Sequence, residues 1–352
     1  MSAAWRIRTH YKGPYTAAGI DQNLSLEEVA KPKPQKDQVL VRIHAASLNY
    51  RDILIATSDE RYAGGAPVDG LVPLADGAGV VAKVSSESSR WKVGDRVFNA
   101  SNSSWKAGQT QASLDKGTGG GAGSEDGVLQ QYAVFDEDSL APIPSRLSFE
   151  EAASLAGAYV SAWNALFGGP KYLKKGDVVV VQGTGGVSIA VLQIAVAVGA
   201  TVIAFSTSED KLDVLRGLGA THALSYRDRS DWSRDVIELT GGRGADHVVD
   251  VVGAATIAES IRSVRQDGLV SAVGFLSASE KHDLIPDIIW GAKTVRGLLY
   301  GSLGMFQEMA AFVEENKIQP VISEVFGWTI AKEAYNRMLK QGFVGKIVIK
   351  VD

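Results

Sequence analysis

The sequence predicts a two-part α/β protein, with a doubly wound parallel sheet in its second half and a smaller β-rich domain in its first. Two patterns carry this. In the second half, apolar runs at 178–181, 201–205, 247–252, 269–273 and 294–299 alternate with helical patterns, the order that builds parallel strands joined by crossover helices. In the first half, between Leu24 and Val97, short segments such as Val39–Ile43 and Ala78–Val84 are punctuated by Pro, Gly and Asp. At 352 residues and 45% hydrophobic, the chain is long for one domain and has enough apolar residues for two cores.

The first strand of the second half, Val178-Val179-Val180-Val181-Gln182, runs into Gly183-Thr184-Gly185-Gly186-Val187-Ser188 and then an apolar, Ala-rich segment, Ile189 to Val198. A buried strand turning through glycines into a helix holds a dinucleotide pyrophosphate. Gly183 permits the tight turn and Gly185 lets backbone approach phosphate oxygens. The helix start offers free N–H groups and the positive end of the helix dipole. Gly183, Thr184, Gly185, Gly186 and Val187 are therefore the candidate pyrophosphate contacts. Ser188 stands where the motif has its third glycine, so slightly looser packing of helix on strand is expected. Gly199 stops the helix, and Thr201–Phe205 supplies the next strand. The competing reading, an ordinary glycine turn, does not account for this whole strand-helix-strand unit.

The end of that second strand selects the cofactor. A NAD site places an Asp or Glu there to accept hydrogen bonds from the adenosine ribose. This chain has Ser206, followed by Thr207, Ser208 and Lys211. Hydroxyls and an ammonium bind a 2′-phosphate that a carboxylate would repel. NADP(H) is the expected cofactor, with Ser206, Ser208, Lys211 and Tyr226 around its 2′-phosphate. Glu209 and Asp210 suit a helix start as capping residues and dipole partners. Lys211 taken alone also reads as a solvated helix lysine.

Composition excludes other classes. A net charge of −4 without a dense basic cluster argues against nucleic acid or an anionic membrane surface as partner. The stretch Met1–Ile20 lacks an apolar signal core and no run is long enough to span a bilayer, so a soluble, cytoplasmic protein acting on a small molecule is expected. The chain has no cysteine, which removes disulfides, thiol catalysis and Cys-ligated zinc. Its histidines, His10, His44, His222, His247 and His282, show no ligand spacing, and no metal is expected. The glycine-rich run Gly117–Gly127 reads as a mobile surface loop that does not pack, with a lid as the weaker reading.

Beside Gly183–Ser188 the chain carries Asn49-Tyr50-Arg51-Asp52, Asp76-Gly77-Ala78-Gly79-Val80-Val81, Lys92-Val93-Gly94-Asp95-Arg96-Val97, Leu218-Gly219-Ala220 and Gly345-Lys346-Ile347-Val348. Together these resemble the medium-chain dehydrogenase/reductase superfamily over essentially the full chain, and most of all its quinone-oxidoreductase-like and zinc-free alcohol-dehydrogenase-like branches. The resemblance implies a GroES-like catalytic domain over 1–158, a Rossmann cofactor domain over 159–302, and a C-terminal return to the first domain over 303–352, with the active site in the cleft between the domains. It places Ser161, Gly253, Gly274, Phe275, Leu276 and Lys346 at the cofactor, and Asn49, Tyr50 and Tyr159 near the reacting atoms. It also implies a homodimer through the sheet-edge strand Thr294–Leu299.

The zinc-ligand positions of that superfamily fall on Asn49, Ala75 and Gly157, which cannot bind zinc as Cys and His do. Reducing a simple ketone builds an alkoxide that needs a Lewis acid or strong proton donor. Adding hydride to a conjugated enone or a quinone spreads the charge into a less basic enolate or phenolate, which ordinary donors can meet. The expected activity is therefore NADPH-dependent reduction of a quinone or α,β-unsaturated carbonyl. The alternatives are a zinc-free alcohol or aldehyde dehydrogenase and a non-catalytic NADPH-binding sensor. Tyr50 and Tyr159 are candidate donors to substrate oxygen, and aromatic packing is the other reading of each.

Overall fold

The computed structural model describes residues 1–62, 64–87, 89–108, 119–227, 229–277 and 283–351. His282 and the segment 109–118, with the first two residues of the suggested lid, lie outside the described residues. The chain forms two compact units, Met1–Val160 with Ser302–Asp352, and Ser161–Gly301.

The first unit opens with β1 (Ser2–Ile7), α1 (Ala17–Asn23) and β2 (Leu24–Val29). It continues through β3 (Gln38–Ser47), α2 (Tyr50–Ala56), β4 (Asp76–Val84), β5 (Arg96–Asn99), β6 (Tyr132–Asp136), β7 (Leu140–Pro142), α3 (Phe149–Ala153) and the start of α4 (Ala158–Phe167). The strand β1 falls in a stretch that reads as polar, yet Ala4, Trp5 and Ile7 are buried and the strand pairs antiparallel with β2 from Ser2↔Val29 to Ile7↔Leu24. The central strand β3 pairs with β4 and β6 and is buried at most positions, which its near-continuous apolar run reflects.

The glycine-rich run behaves differently from its expectation. Of its described part, Gly119, Gly121, Ala122 and Gly127 are buried. Gly127 N–H donates to Val72 O at 2.7 Å, and a Cβ on Gly127 would stand 2.0 Å from Leu74 O. Gly119 likewise admits no Cβ, since it would meet Ser101 O at 2.0 Å. These glycines let backbone pack on backbone, so low complexity here marks close approach rather than a segment unable to pack.

The second unit contains β8 (Val178–Gln182), α5 (Gly186–Val198), β9 (Thr201–Ser206), α6 (Glu209–Gly217), β10 (His222–Ser225), α7 (Ser233–Leu239), β11 (Ala245–Asp250), α8 (Ile257–Ser263), β12 (Val264–Ala272), α9 (Ile285–Trp290) and β13 (Thr294–Gly297). Its strands are parallel, in the order β10-β9-β8-β11-β12-β13, so strand order reverses between β8 and β11. That reversal is the switch point at which open α/β sheets bind ligands. The predicted runs correspond to β8, β9, β11, β12 and β13, whereas β10 is short and half-exposed and gives no pattern of its own. Gly199 ends α5 in the left-handed region, at φ +85°.

The chain then returns to the first unit with α10 (Leu303–Glu315), β14 (Ile322–Phe326), α11 (Ala331–Leu339) and β15 (Lys346–Lys350). Here β15 pairs antiparallel with β3 and parallel with β14, completing the order β14-β15-β3-β4-β5-β7. Its Ile347 and Ile349 join the core around Val39, Val41 and Ile43.

Candidate active site

In the second unit, the β8–α5 turn is shaped by its glycines. Gly183 has φ +73° and donates its N–H to Phe205 O at 2.7 Å, tying the turn to β9. Gly185 is the N-cap of α5, and a Cβ built on it meets nothing within 4 Å. The space before this 13-residue helix is therefore open, and its first N–H groups are available to an anion. Ser188 does not loosen the turn. It is buried, and its hydroxyl donates to Gln182 O at 2.7 Å, so the extra polar group is satisfied at the end of β8.

The neighbouring strand ends are built around Asp250. Its Oδ1 accepts from the N–H groups of Val252 at 3.0 Å and Gly253 at 2.8 Å, while Oδ2 accepts from the Ser260 hydroxyl at 2.6 Å. Gly253 has φ +97°, and Gly274 has no room for a Cβ, which would lie 1.8 Å from Val251 O. Phe275 and Leu276 follow as exposed apolar side chains, and Ser161 is buried on α4.

At the end of β9, Ser206 is buried and its hydroxyl accepts the Ser208 N–H at 3.4 Å. Tyr226 packs its ring 6.0 Å from that of Phe205 and donates its N–H to Ser206 O at 3.2 Å. Lys211 lies in the first turn of α6. One residue escaped sequence reading here. The exposed Arg227 donates from Nε to Thr207 O at 2.7 Å, which holds a guanidinium at the Ser206–Ser208 segment. Its position directly after Tyr226 was the available signal, hidden because β10 itself was not legible.

In the first unit a polar cluster gathers at the start of α2. The Asn49 N–H donates to Asp52 Oδ2 at 2.6 Å, which caps the helix and leaves the Asn49 side chain for other partners. Asn49 Nδ2 donates to Asp76 Oδ2 at 2.8 Å, and Asn49 Oδ1 accepts from Lys346 Nζ at 2.6 Å. Lys346, expected at the cofactor, is only 4% exposed and also donates to Leu48 O at 2.6 Å, with Asp76 Oδ2 at 3.5 Å. Ser101 donates to the other Asp76 oxygen at 2.6 Å. Burial lowers the Lys346 ammonium from its ordinary value, opposed by Asp76 and Asp52. Burial pushes the Asp52 carboxyl up to about 6, opposed by Arg51 and by the Asn49 N–H. Arg51 also reaches Gly120 O, joining α2 to the packed glycine segment.

Gly157 closes this cluster. A Cβ there would come within 2.7 Å of Asp76 Oδ2 and 3.2 Å of Asn49 Nδ2. Two of the three positions that the resemblance assigns to zinc therefore converge in space, but with an amide and a bare backbone. The amide oxygen is turned to an ammonium, so the residues present do not fit zinc. Among the described residues, no three His, Asp or Glu side chains gather as metal ligands.

Tyr50 and Tyr159 stand in distinct settings. Tyr159 is 1% exposed, and burial raises its phenol well above the ordinary value. Tyr50 is half-buried at the first position of α2, and its hydroxyl donates to that of Tyr15 at 3.2 Å.

Similarity to known proteins agrees with this architecture. Residues 35–145 match the alcohol dehydrogenase GroES-like domain, and residues 186–315 match the zinc-binding dehydrogenase domain. A zinc-type alcohol dehydrogenase-like protein of Schizosaccharomyces pombe is 38% identical over 95% of this chain and 97% of its own. The chain belongs to the medium-chain dehydrogenase/reductase superfamily. A solved NAD-dependent alcohol dehydrogenase superposes with a TM-score of 0.86 at 30% identity, covering 100% of both chains. The quinone oxidoreductase of Sus scrofa is 26% identical over 92% of each chain. Membership makes this protein a nicotinamide-cofactor-dependent oxidoreductase, and among its described residues no helix is long and apolar enough to cross a membrane.

Proposed function

We propose that this superfamily member is an NADPH-dependent reductase of quinones or α,β-unsaturated carbonyls that works without zinc. One observation carries the reading: the buried Lys346–Asn49–Asp76 network where the resemblance would put the metal. The Lys346 charge is matched by Asp76 and its protons are directed to protein oxygens, so it is not a free proton donor to a substrate oxygen. What remains to face a substrate oxygen are neutral donors, Asn49 Nδ2 and the Tyr50 hydroxyl. Such donors suffice for the delocalised, less basic charge of an enolate or phenolate, whereas a localised alkoxide needs a Lewis acid or a strong proton donor.

A nicotinamide bound at the β8–α5 turn would supply the hydride. The open space at Gly185 and the helix N-terminus fit its pyrophosphate, and Ser206, Ser208, Lys211, Tyr226 and Arg227 fit a 2′-phosphate through charge-assisted hydrogen bonds. We also read the outermost strand β13 as the surface through which two copies pair.

The test is cofactor oxidation followed by absorbance, with NADPH and NADH, against an enone, its saturated ketone, a quinone and a simple alcohol, in the presence of chelator. The reading expects NADPH with enone or quinone to be fastest and chelator to be without effect. Faster turnover of the saturated ketone or its alcohol replaces it with a zinc-free alcohol dehydrogenase, which the similarity to alcohol dehydrogenases favours as the second reading. Cofactor binding without any turnover makes the protein a sensor.

A further inference from the structure

Tyr50 does not stand alone in the first unit. Its ring meets that of Tyr15 edge-on, with centroids 6.0 Å apart at 81°, and the two hydroxyls are 3.2 Å apart. Tyr15 lies just before α1 and is fixed by its backbone, whose N–H donates to Asp59 Oδ2 at 3.2 Å. The Arg61 guanidinium sits 4.4 Å from the Tyr15 ring centroid. Asp59 clamps that guanidinium in a bidentate pair, at 2.9 Å from Nε and 2.7 Å from Nη2. The Asp59 side chain is buried, while that of Arg61 is 46% exposed. A string of polar groups thus runs from the half-buried Tyr50 hydroxyl to solvent.

We propose that Tyr15, held beneath Arg61 and Asp59, relays a solvent proton to Tyr50, which delivers it to the substrate oxygen. This rests on the reductase reading above and adds the proton's source. Hydride addition to a conjugated carbonyl leaves an enolate oxygen. The Tyr50 O–H, directed at the Tyr15 oxygen in the resting pair, turns to the enolate oxygen, and the bond breaks as its proton forms the enol, which rearranges to the saturated ketone. The Tyr15 proton passes to the Tyr50 oxygen, and water or hydronium restores Tyr15. One solvent proton is consumed for each hydride transferred. Burial raises the Tyr50 phenol above its ordinary value, so its proton leaves as another arrives from Tyr15, and the Arg61 guanidinium over the Tyr15 ring stabilises the charge that passes there. Bidentate pairing to Asp59 keeps the guanidinium over the ring instead of free in water. The neighbouring titratable groups are already engaged, since Asp52 accepts the Asn49 N–H and Lys346 donates to Leu48 O and Asn49 Oδ1.

Tyr15→Phe removes one hydroxyl and keeps the edge-on ring contact. The relay expects kcat for an enone to fall about ten-fold with KM nearly unchanged, less than the roughly hundred-fold or more of a direct general acid because Tyr15 acts through Tyr50. It also expects the primary isotope effect with deuterated NADPH to shrink toward one while the solvent isotope effect rises, because protonation becomes limiting. Independently of turnover, the ζ-carbon NMR resonance of Tyr50 should shift in Tyr15→Phe. In Tyr172→Phe, a change at an exposed tyrosine, kcat, both isotope effects and the Tyr50 resonance should stay as in the parent. An enone-active parent whose Tyr15→Phe variant keeps kcat and both isotope effects overturns the relay and leaves the reductase standing. A lower kcat with unaltered isotope effects also overturns it, since a packing defect would do the same. A parent that reduces no conjugated carbonyl or quinone overturns both.

Discussion

An ammonium buried with a carboxylate is tolerable only as a pair, which makes Lys346 and Asp76 a unit. Lys346→Met should cost about 3–5 kcal/mol in urea unfolding, because it strands the Asp76 charge, and Asp76→Asn in the same chain should recover a large part of that loss. Equal instability of the single and double variants would show that packing, not charge, holds the cluster. On the cofactor side, Lys211→Ala should weaken NADPH binding about ten-fold in a fluorescence titration and leave NADH nearly unchanged, with Arg227→Ala behaving alike. Equal loss for both cofactors would remove the 2′-phosphate assignment. Gly183 and Gly185 were legible because their roles are local, a left-handed φ and a missing Cβ beside the next helix. The partnership of Asn49 with Asp76 and Lys346 was not, since each comes from a different element and only the pairing of β15 and β4 with β3 brings them together. Tyr15 was missed for the same reason, having no motif of its own and acquiring meaning only against Tyr50.

Within β11, neighbouring residues carry opposite adaptations to burial. Burial disfavours the Asp246 carboxylate, yet hydrogen bonds from Arg243, Arg265 and the Val178 N–H outweigh it and hold the group at about 2. Among the described residues His247 has no such donors or acceptors, so burial lowers its imidazole to about 4 even with Asp177 Oδ2 at 3.9 Å. Both folded values lie below the unfolded ones, so the stability they contribute is present at neutral pH and lost as pH falls. His247 acts first, between about 6.5 and 4, and Asp246 follows between about 4 and 2. His247→Leu should therefore flatten the loss of stability from pH 7 to pH 4, on the order of 3 kcal/mol, when unfolding is measured across that range. An unchanged slope would mean that the imidazole is not the group being charged. The strand itself was readable as an apolar run, but that its histidine would be unsatisfied depended on what packs around it. The glycine segment 119–127 shows the opposite limit. Composition there resembles a linker, while the missing Cβ atoms serve contacts with Ser101 and Leu74 that no local pattern encodes.

Across the molecule, five of the six strands of the second unit's sheet were predictable from their apolar runs, β10 being the exception, and the first unit was less so because its sheet is assembled from distant segments. The order of the parallel sheet also fixes what is left unpaired. With β13 last in that order, one row of its N–H and C=O groups has no strand beside it among the described residues. The neighbouring surface is apolar: Trp290 is 87% exposed and Ile289 67%, at the end of α9, and Val295 and Leu299 are exposed on and just after the strand. A free edge beside exposed aromatic and aliphatic side chains is costly in water and self-complementary under a two-fold axis, where two antiparallel copies of β13 would extend the sheet. The protein should therefore scatter light as a particle of about twice 37.3 kDa at micromolar concentration. Val295→Arg should halve that mass while leaving the far-ultraviolet circular dichroism unchanged, because the charge meets a partner copy and not the core. A parent that runs as a monomer, or a Val295→Arg variant that stays dimeric, removes β13 as the interface.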